Sequence, residues 1–212
     1  MLDWLEEIFG RISKARCRLK TSKVFLVQRE VDYLGFRVGR DGRRMQPSYR
    51  ESVVQWPVPR KRTELSSFLG RTNYYREFIK DFSHLTHSLN KAKARSEADW
   101  ELSEEETKDF HRLQSAFTTS EALSFPCFKN LNAHPFILDL DFSQKGLSAS
   151  LHQRQQCEDG EWREKLIGNV SRKAPSVLAV ASSHRGEVAA AIMGVEHFRH
   201  LLLLAEFVLR SD

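Results

Sequence analysis

Three acidic residues in the second half of the chain have the residue types and settings from which a metal-dependent hydrolytic site can be built. Asp141 and Asp212 each end an apolar run, and Glu187 opens the alanine-rich run 187–192. A carboxylate at the end of a buried strand loses hydration energy unless a partner compensates it. Divalent cations are the usual partners where several acids converge, and paired cations can drive phosphodiester cleavage.

Spacing alone leaves other interpretations of these residues open. The three acids could each be solvated at the end of an element. Asp139 lies two residues before Asp141, on the same strand face, and is the alternative first ligand. His197 and His200 are three residues apart on one helix, but no Cys or third His stands at ligand spacing. A packing or surface role is therefore predicted for these two histidines.

The hydrophobic pattern around the acids predicts an α/β unit. Strands are expected near 135–141, 147–153, 162–170 and 206–211, with a long helix over 183–203. In such a unit, neighbouring parallel strands can bring Asp141 and Asp212 together, and a helix lying across them can supply Glu187.

The first half predicts mostly helices. Helices are expected at 2–16, 48–55, from a cap at Thr63 onward, and after a capping box formed by Ser103 and Glu106. Short strands are expected at 24–27 and 33–38, followed by a turn at 39–42. Residues 48–120 therefore read as a small helical domain.

Composition narrows the class of protein. The chain has 212 residues, enough for one large domain or two small ones. No apolar run reaches the roughly 18 residues of a spanning helix, and the acidic amphipathic N-terminus is unlike a signal peptide. Cys17, Cys127 and Cys157 are far apart and odd in number. The cysteines therefore predict free thiols in a reducing compartment. Together with the missing spanning run and signal peptide, they predict an intracellular protein of the cytoplasm or nucleus without membrane association.

Charge is divided unevenly along the chain. Residues 1–95 contain 21 Lys and Arg against 10 Asp and Glu, whereas residues 96–212 contain 12 against 18. A basic half of this kind can neutralise phosphates, so nucleic acid is the predicted partner. The alternative is ordinary surface decoration of a soluble domain.

Several longer stretches occur in one order along the chain, and this order resembles the Pol polyprotein of gypsy-class long-terminal-repeat retrotransposons. The stretches are 33–36, 56–59, 65–79, the pattern Asp141-x-Ser143-x-x-Gly146, 171–173, the helix of Glu187, 197–202 and the run ending on Asp212. The resemblance covers nearly the whole chain.

The resemblance implies an α/β, or overall α+β, chain in three parts. Residues 1–46 are similar to the end of a reverse-transcriptase palm with its primer-grip-like hairpin, and residues 47–120 to the helical thumb and connection. Residues 121–212 are similar to the first part of a ribonuclease H-like domain, with a mixed sheet and one long helix. The implied partner is an RNA–DNA hybrid or duplex.

The resemblance also implies roles for individual residues. Asp141, Glu187 and Asp212 are the expected catalytic residues and ligands of Mg²⁺, with Mn²⁺ as the alternative ion. In the first half, the residues expected to contact nucleic acid are Tyr33, Gly35, Arg71, Tyr74, Tyr75 and Arg76. The residues themselves leave a second reading open, because the tyrosines could be core and the arginines a solvated helix face.

The chain also departs from the family pattern. No Tyr-x-Asp-Asp occurs in it, so it is not expected to extend a primer, and the nuclease site lacks its fourth metal-facing group. Phe142 stands where the family has Ala, which predicts relaxed sequence beside the site. The expected function is that of a reverse transcriptase/ribonuclease H fragment, and whether it hydrolyses RNA is left open. The alternative is a non-catalytic, retroelement-derived nucleic-acid-binding protein.

Overall fold

The computed structural model describes residues 2–96, 100–129, 131, 134–157, 159–175, 178, 183–203 and 205–211. Within these ranges the helices are α1 (Leu2–Lys14), α2 (Pro47–Val54), α3 (Arg62–Asn73), α4 (Phe82–Leu85), α5 (His87–Lys93), α6 (Glu104–Thr119), α7 (Ser183–His197) and α8 (Arg199–Leu202). The strands are β1 (Glu30–Tyr33), β2 (Phe36–Gly39), β3 (Gly42–Met45), β4 (Phe136–Ser143), β5 (Gly146–Gln156), β6 (Trp162–Lys173) and β7 (Phe207–Arg210). The predicted α/β class is confirmed.

The first sheet corrects two strand predictions. Residues 33–38 do not form one strand, because Leu34 and Gly35 turn the chain with φ values of 49° and 81°. Positive φ at both central residues matches the twist of a two-residue hairpin, so β1 and β2 pair antiparallel across this turn. Residues 24–27 carry strand-forming side chains but are not in a strand, and Val27 has a φ of 52°. The predicted turn after Gly39 is confirmed.

The helical region, defined as α2 to α6, follows the sequence closely except at one cap. The helix predicted from Thr63 begins at Arg62, and no side chain caps it at Lys61. The capping box of Ser103 and Glu106 is confirmed. The core of this region contains Leu65, Phe68, Tyr75, Phe110 and Phe117, together with Met45 from the first sheet and Leu123.

The second sheet has the strand order β6-β5-β4-β7, with β7 parallel to β4 and the other pairs antiparallel. Side chains of β4 alternate, so Phe136 and Leu138 are buried in the core beneath α7 while Asp139 and Asp141 point to the other face. At Gly194, a Cβ would lie 2.8 Å from the Cβ of Ala149, so α7 packs very closely on the sheet. The single helix predicted over 183–203 is α7 followed by α8.

The helical region packs against the face of the second sheet opposite α7. The buried Asn169 of β6 donates a hydrogen bond to the carbonyl oxygen of Glu77 at 2.9 Å and accepts one from Ser150 at 2.7 Å. The backbone N–H of Ser83 donates to the Ser171 hydroxyl at 2.9 Å. The sheet therefore lies between two helical layers.

The structure also bears on the predicted absence of a spanning helix and on the predicted free cysteines. No helix in the described part of the chain has the length and apolar character needed to cross a membrane. Cys17, Cys127 and Cys157 are free thiols, as predicted.

Candidate functional site

The hairpin turn between β1 and β2 is held by two tyrosines that follow α3. The Tyr74 hydroxyl donates to the carbonyl oxygen of Leu34 at 2.8 Å, and the Tyr75 hydroxyl donates to that of Gly35 at 2.5 Å. Burial raises the pKa of Tyr75 to about 12, so its hydroxyl remains a donor at neutral pH. A Cβ at Gly35 would lie 2.7 Å from the Tyr75 hydroxyl oxygen. The two family-like stretches 33–36 and 65–79 are therefore joined in space.

These contacts separate the predicted nucleic-acid residues of the hairpin into two kinds. Tyr33 and Tyr74 are 63% and 52% exposed, so both present ring surface beside the turn. Tyr75 has no exposed surface, because it packs between Phe36 and Tyr49 in the core. The expectation of direct contact by Tyr75 is therefore replaced by a positioning role on Gly35.

The two predicted arginines occupy different settings. Arg71 lies over the Tyr49 ring, 4.4 Å from its centroid, and donates to the Ser52 hydroxyl at 3.0 Å. Arg76 is exposed and lies beside β6, where it lines the surface between the helical region and the second sheet. Arg71 is thus ordered by stacking against α2, whereas Arg76 faces the junction of the two regions.

Two of the three predicted acids lie in the described residues, on either side of one packing contact. Asp141 is exposed near the end of β4, and Glu187 lies in the first turns of α7, where it accepts a hydrogen bond from Ser183 at 3.0 Å. The ring of Phe142 packs on Gly186, where a Cβ would come within 2.1 Å of it. The residues next to Asp141 and Glu187 are therefore in direct contact.

The third predicted acid, Asp212, lies outside the described residues. The strand that precedes it is β7, which is adjacent and parallel to β4, with Arg210 paired to Asp139. The two strands are therefore adjacent and parallel, as predicted, as far as Arg210.

Asp139, the alternative first ligand, belongs to a separate cluster that the sequence did not reveal. Among the described residues, Asp139, His152 and Glu164 form a group whose ligand atoms lie within 4.8 Å of one another and could hold a metal ion. Arg210 also binds both carboxylates, with Nη2 2.7 Å from Asp139 and 2.7 Å from Glu164. These hydrogen bonds raise the pKa of Arg210. The guanidinium therefore already neutralises the pair, and Asp139 is not a free acid.

Sequence reasoning also missed what the smaller residues of the family-like patterns do. The Ser143 hydroxyl accepts hydrogen bonds from the backbone of Lys145 and Gly146, which closes the turn between β4 and β5. A Cβ at Gly146 would lie 2.7 Å from the Ser83 hydroxyl, so this glycine lets the helical region approach the sheet. The sequence signal for these two roles was the family-like pattern Asp141-x-Ser143-x-x-Gly146.

Comparison with known families finds a match in this region. A family model described as an RNase H-like domain found in reverse transcriptase matches residues 102–209, about half of the chain. The matched range contains the second sheet with α7 and α8, and also α6 of the helical region.

Curated relatives match almost the whole chain. It is 28% identical over 208 residues to the retrovirus-related Pol polyprotein from transposon opus of Drosophila melanogaster, which covers 93% of this chain and 20% of the relative. It is 27% identical over 212 residues to the corresponding polyprotein from transposon 297, covering 100% of this chain and 19% of the relative. The Tf2-3 polyprotein of Schizosaccharomyces pombe is 25% identical over 198 residues. The chain spans about a fifth of the length of the two Drosophila relatives.

Solved structures share the fold. The foamy viral protease-reverse transcriptase in complex with RNA/DNA hybrid superposes with a TM-score of 0.80 and 21% identity, covering 99% of this chain and 27% of that one. The same viral protein in complex with dsDNA gives 0.79 and 21%, covering 99% and 42%. At this level of identity the likeness concerns the fold.

Proposed function

This chain belongs to the family of RNase H-like domains found in reverse transcriptases, with relatives among gypsy-like retrotransposon Pol polyproteins, and on that premise we propose that it holds the backbone of an RNA–DNA hybrid or DNA duplex. In this proposal residues 1–46 are the end of a palm, 47–120 a thumb with its connection, and 121–212 an RNase H-like part. The family's parent activities are RNA-directed DNA synthesis and cleavage of the RNA strand.

The observation that carries the proposal is the fixed hairpin tip. The hydroxyls of Tyr74 and Tyr75 donate hydrogen bonds to the carbonyl oxygens of the turn, which hold it in one conformation. Tyr33 is exposed beside the turn. At Gly35 the Tyr75 hydroxyl takes the space of a Cβ, so the glycine fixes the shape of the turn beside Tyr33. Exposed Tyr33 supplies a hydroxyl donor for a phosphate and a ring for stacking, whereas Tyr74, whose hydroxyl is bonded to Leu34, supplies a ring. The solved relatives in complex with hybrid and dsDNA support this choice of ligand.

Asp141 and Glu187 are the residues of the described chain proposed to hold Mg²⁺, and Asp212 is proposed to join them. Both carboxylates suit a hard cation that prefers oxygen ligands, because neither forms an ion pair with Lys or Arg among the described residues. When bound, such ions activate water and stabilise the leaving oxygen of a phosphodiester. Asp141 points to the face of β4 opposite α7, so the two acids would meet only around the end of the sheet, beside the Phe142–Gly186 contact.

A second candidate is a non-catalytic nucleic-acid-binding protein. One observation favours it: Arg210 neutralises Asp139, the other acid of β4, and leaves Asp141 as the carboxylate of that strand without an ion pair among the described residues. A site with few free acids binds divalent ions weakly, while backbone binding by the first half would be unaffected.

Binding is tested with a fluorescent RNA–DNA hybrid titrated by the full chain at several salt concentrations. The affinity should fall linearly on logarithmic axes, because released counterions drive association. Tyr33→Ala should weaken binding without changing the melting temperature, and Trp4→Ala, at another exposed aromatic residue, serves as the control substitution. Absence of hybrid binding at low salt would contradict the proposal.

The metal is tested separately by thermal melting and cleavage. Mg²⁺ should raise the melting temperature of the native chain by binding the folded form, and Asp141→Asn should remove most of that rise. Asp41→Asn, in an exposed turn, is the control with equal charge change. Mg²⁺-dependent cleavage of the hybrid that Asp141→Asn abolishes supports the nuclease. Hybrid binding without cleavage supports the second candidate.

A further inference from the structure

A groove lined by basic residues runs between the helical region and the end of β6. Its lining includes Arg76, His87 and Lys91 on one wall and Arg172 and Lys173 on the other, over a volume of about 490 Å³. No Asp or Glu is among the residues that line it in the described chain. The side chains of Arg76, Lys91, Arg172 and Lys173 form no ion pair with the described carboxylates. This surface is an unneutralised concentration of positive charge.

The electrostatic effect of this concentration is visible in the neighbouring histidines. The pKa of His87 is lowered by burial and then by Lys91, Lys173, Lys145 and His84. The pKa of His197 is lowered by burial and then by Arg172, Arg76 and His200, with only Glu77 acting in the opposite direction. Glu77 is itself bound by Arg43 at 2.6 Å, so it does little to offset the field.

The groove is continuous with the hairpin tip. Asn73, Arg76 and Ser171 line both the basic groove and an adjoining cleft that is also lined by Tyr74. The cleft is also lined by Glu77, and its Tyr74 contacts the exposed turn because the Tyr74 hydroxyl donates to the carbonyl oxygen of Leu34. One path along the surface therefore joins the hairpin to the second sheet.

We infer that this groove binds consecutive backbone phosphates of the nucleic acid, with Lys91 and Arg76 on one side and Arg172 and Lys173 on the other. The inference rests on the proposed function and extends it to β6, which belongs to the half of the chain with excess acid. Lys and Arg side chains at such a surface neutralise phosphates without reading sequence. The groove would hold a strand in register between the hairpin and the RNase H-like sheet.

The test measures hybrid binding of the full chain as a function of salt. Arg172→Gln with Lys173→Gln should weaken binding and reduce the magnitude of the salt slope by about 2, because each lost phosphate contact removes about one released counterion. The matched control is Arg163→Gln with Lys165→Gln at the other end of the same strand, outside the groove. It removes the same charge and should leave the slope unchanged.

A second pair keeps the test independent of strand folding. Lys91 and Lys93 are both exposed on α5, but only Lys91 lines the groove. Lys91→Gln should reduce the slope by about 1, and Lys93→Gln should not. If native chain binds with steep salt dependence while each groove variant equals its control, the groove assignment is wrong and the proposed function stands. If native chain does not bind at low salt, the proposed function fails and the groove assignment fails with it.

Discussion

At the scale of single residues, Gly35 is constrained twice, by its backbone conformation and by the hydroxyl that approaches it. Its φ of 81° lies in the left-handed region, and a Cβ would come within 2.7 Å of the Tyr75 oxygen. Gly160 has a φ of 84°, but a Cβ there would meet no atom of the described residues within 4 Å, so it shares only the first constraint. Comparing the two glycines therefore separates the cost of the left-handed backbone from the cost of the contact with the Tyr75 hydroxyl.

We expect Gly35→Ala to destabilise the chain more than Gly160→Ala does. Both substitutions cost about 1–2 kcal/mol for the left-handed backbone. Gly35→Ala must in addition displace the Tyr75 hydroxyl and lose its hydrogen bond, worth about 1 kcal/mol. Chemical denaturation of both variants measures the difference. Equal losses would show that the Tyr75 contact contributes nothing.

Tyr75 predicts a pH dependence with a definite sign. Burial raises its pKa from 10.0 to about 12 in the folded chain. The protonated hydroxyl therefore contributes stability that is fully present below pH 10 and is lost as pH rises from about 10 to about 12. Phenolate absorbance should show a late-titrating component that Tyr75→Phe removes. Tyr33→Phe, at an exposed residue, should leave that component in place.

At the scale of elements, α7 packs on β4 where the large ring of Phe142 lies on Gly186. Phe142 stands where the family pattern has a small residue, which suggested relaxed sequence. The structure places its ring on Gly186, on the α7 face of the sheet, whereas Asp141 alternates to the opposite face. The missing side chain of Gly186 therefore accommodates the extra bulk of Phe142.

We expect Gly186→Ala to destabilise the chain by about 1–3 kcal/mol or more, because the added methyl group overpacks against Phe142. Gly70→Ala is the control, since a Cβ on that helical glycine would meet no atom of the described chain within 4 Å. It should instead stabilise the chain by about 0.5–1 kcal/mol through helix propensity. Adding Phe142→Ala to Gly186→Ala should recover part of the loss. Strictly additive effects would contradict the packing argument.

At the scale of the whole molecule, the helical region and the second sheet are joined by buried polar contacts. Asn169 is central, because its amide binds the Glu77 carbonyl oxygen on one side and the Ser150 hydroxyl on the other. The packing of the two regions also brings together basic residues from both halves of the sequence. Arg172 and Lys173 come from the acidic half of the sequence, yet they line the same groove as Arg76 and Lys91.

We expect Asn169→Ala to cost about 1–3 kcal/mol, because it removes a partner of the buried Ser150 hydroxyl and of the partly buried Glu77 carbonyl oxygen. Asn90→Ala, which removes an exposed side chain that donates to the Thr86 carbonyl oxygen one turn earlier, should cost much less. Hydrogen exchange should show the loss in β6 and in residues 76–78 together. Loss confined to β6 would mean that the two regions are not coupled through Asn169.

The sequence by itself determined the class of fold, the order of elements and the candidate acids. Hydrophobic periodicity located α7, β4, β5 and β6, and the capping box located α6, because these signals depend on neighbours along the chain. The family-like stretches indicated the hairpin, Asp141 and Glu187, because each stretch is also a pattern of residues that are neighbours along the chain.

Only the tertiary structure decided which residues meet. The turn inside residues 33–38 depends on a positive φ at Leu34 that its side chain does not favour, and on hydroxyls from residues 40 positions away. Burial of Tyr75, capture of Asp139 by Arg210 and the fit of Phe142 on Gly186 are likewise contacts between distant parts of the chain. A local pattern cannot encode them, because burial and charge pairing are set by which elements pack together.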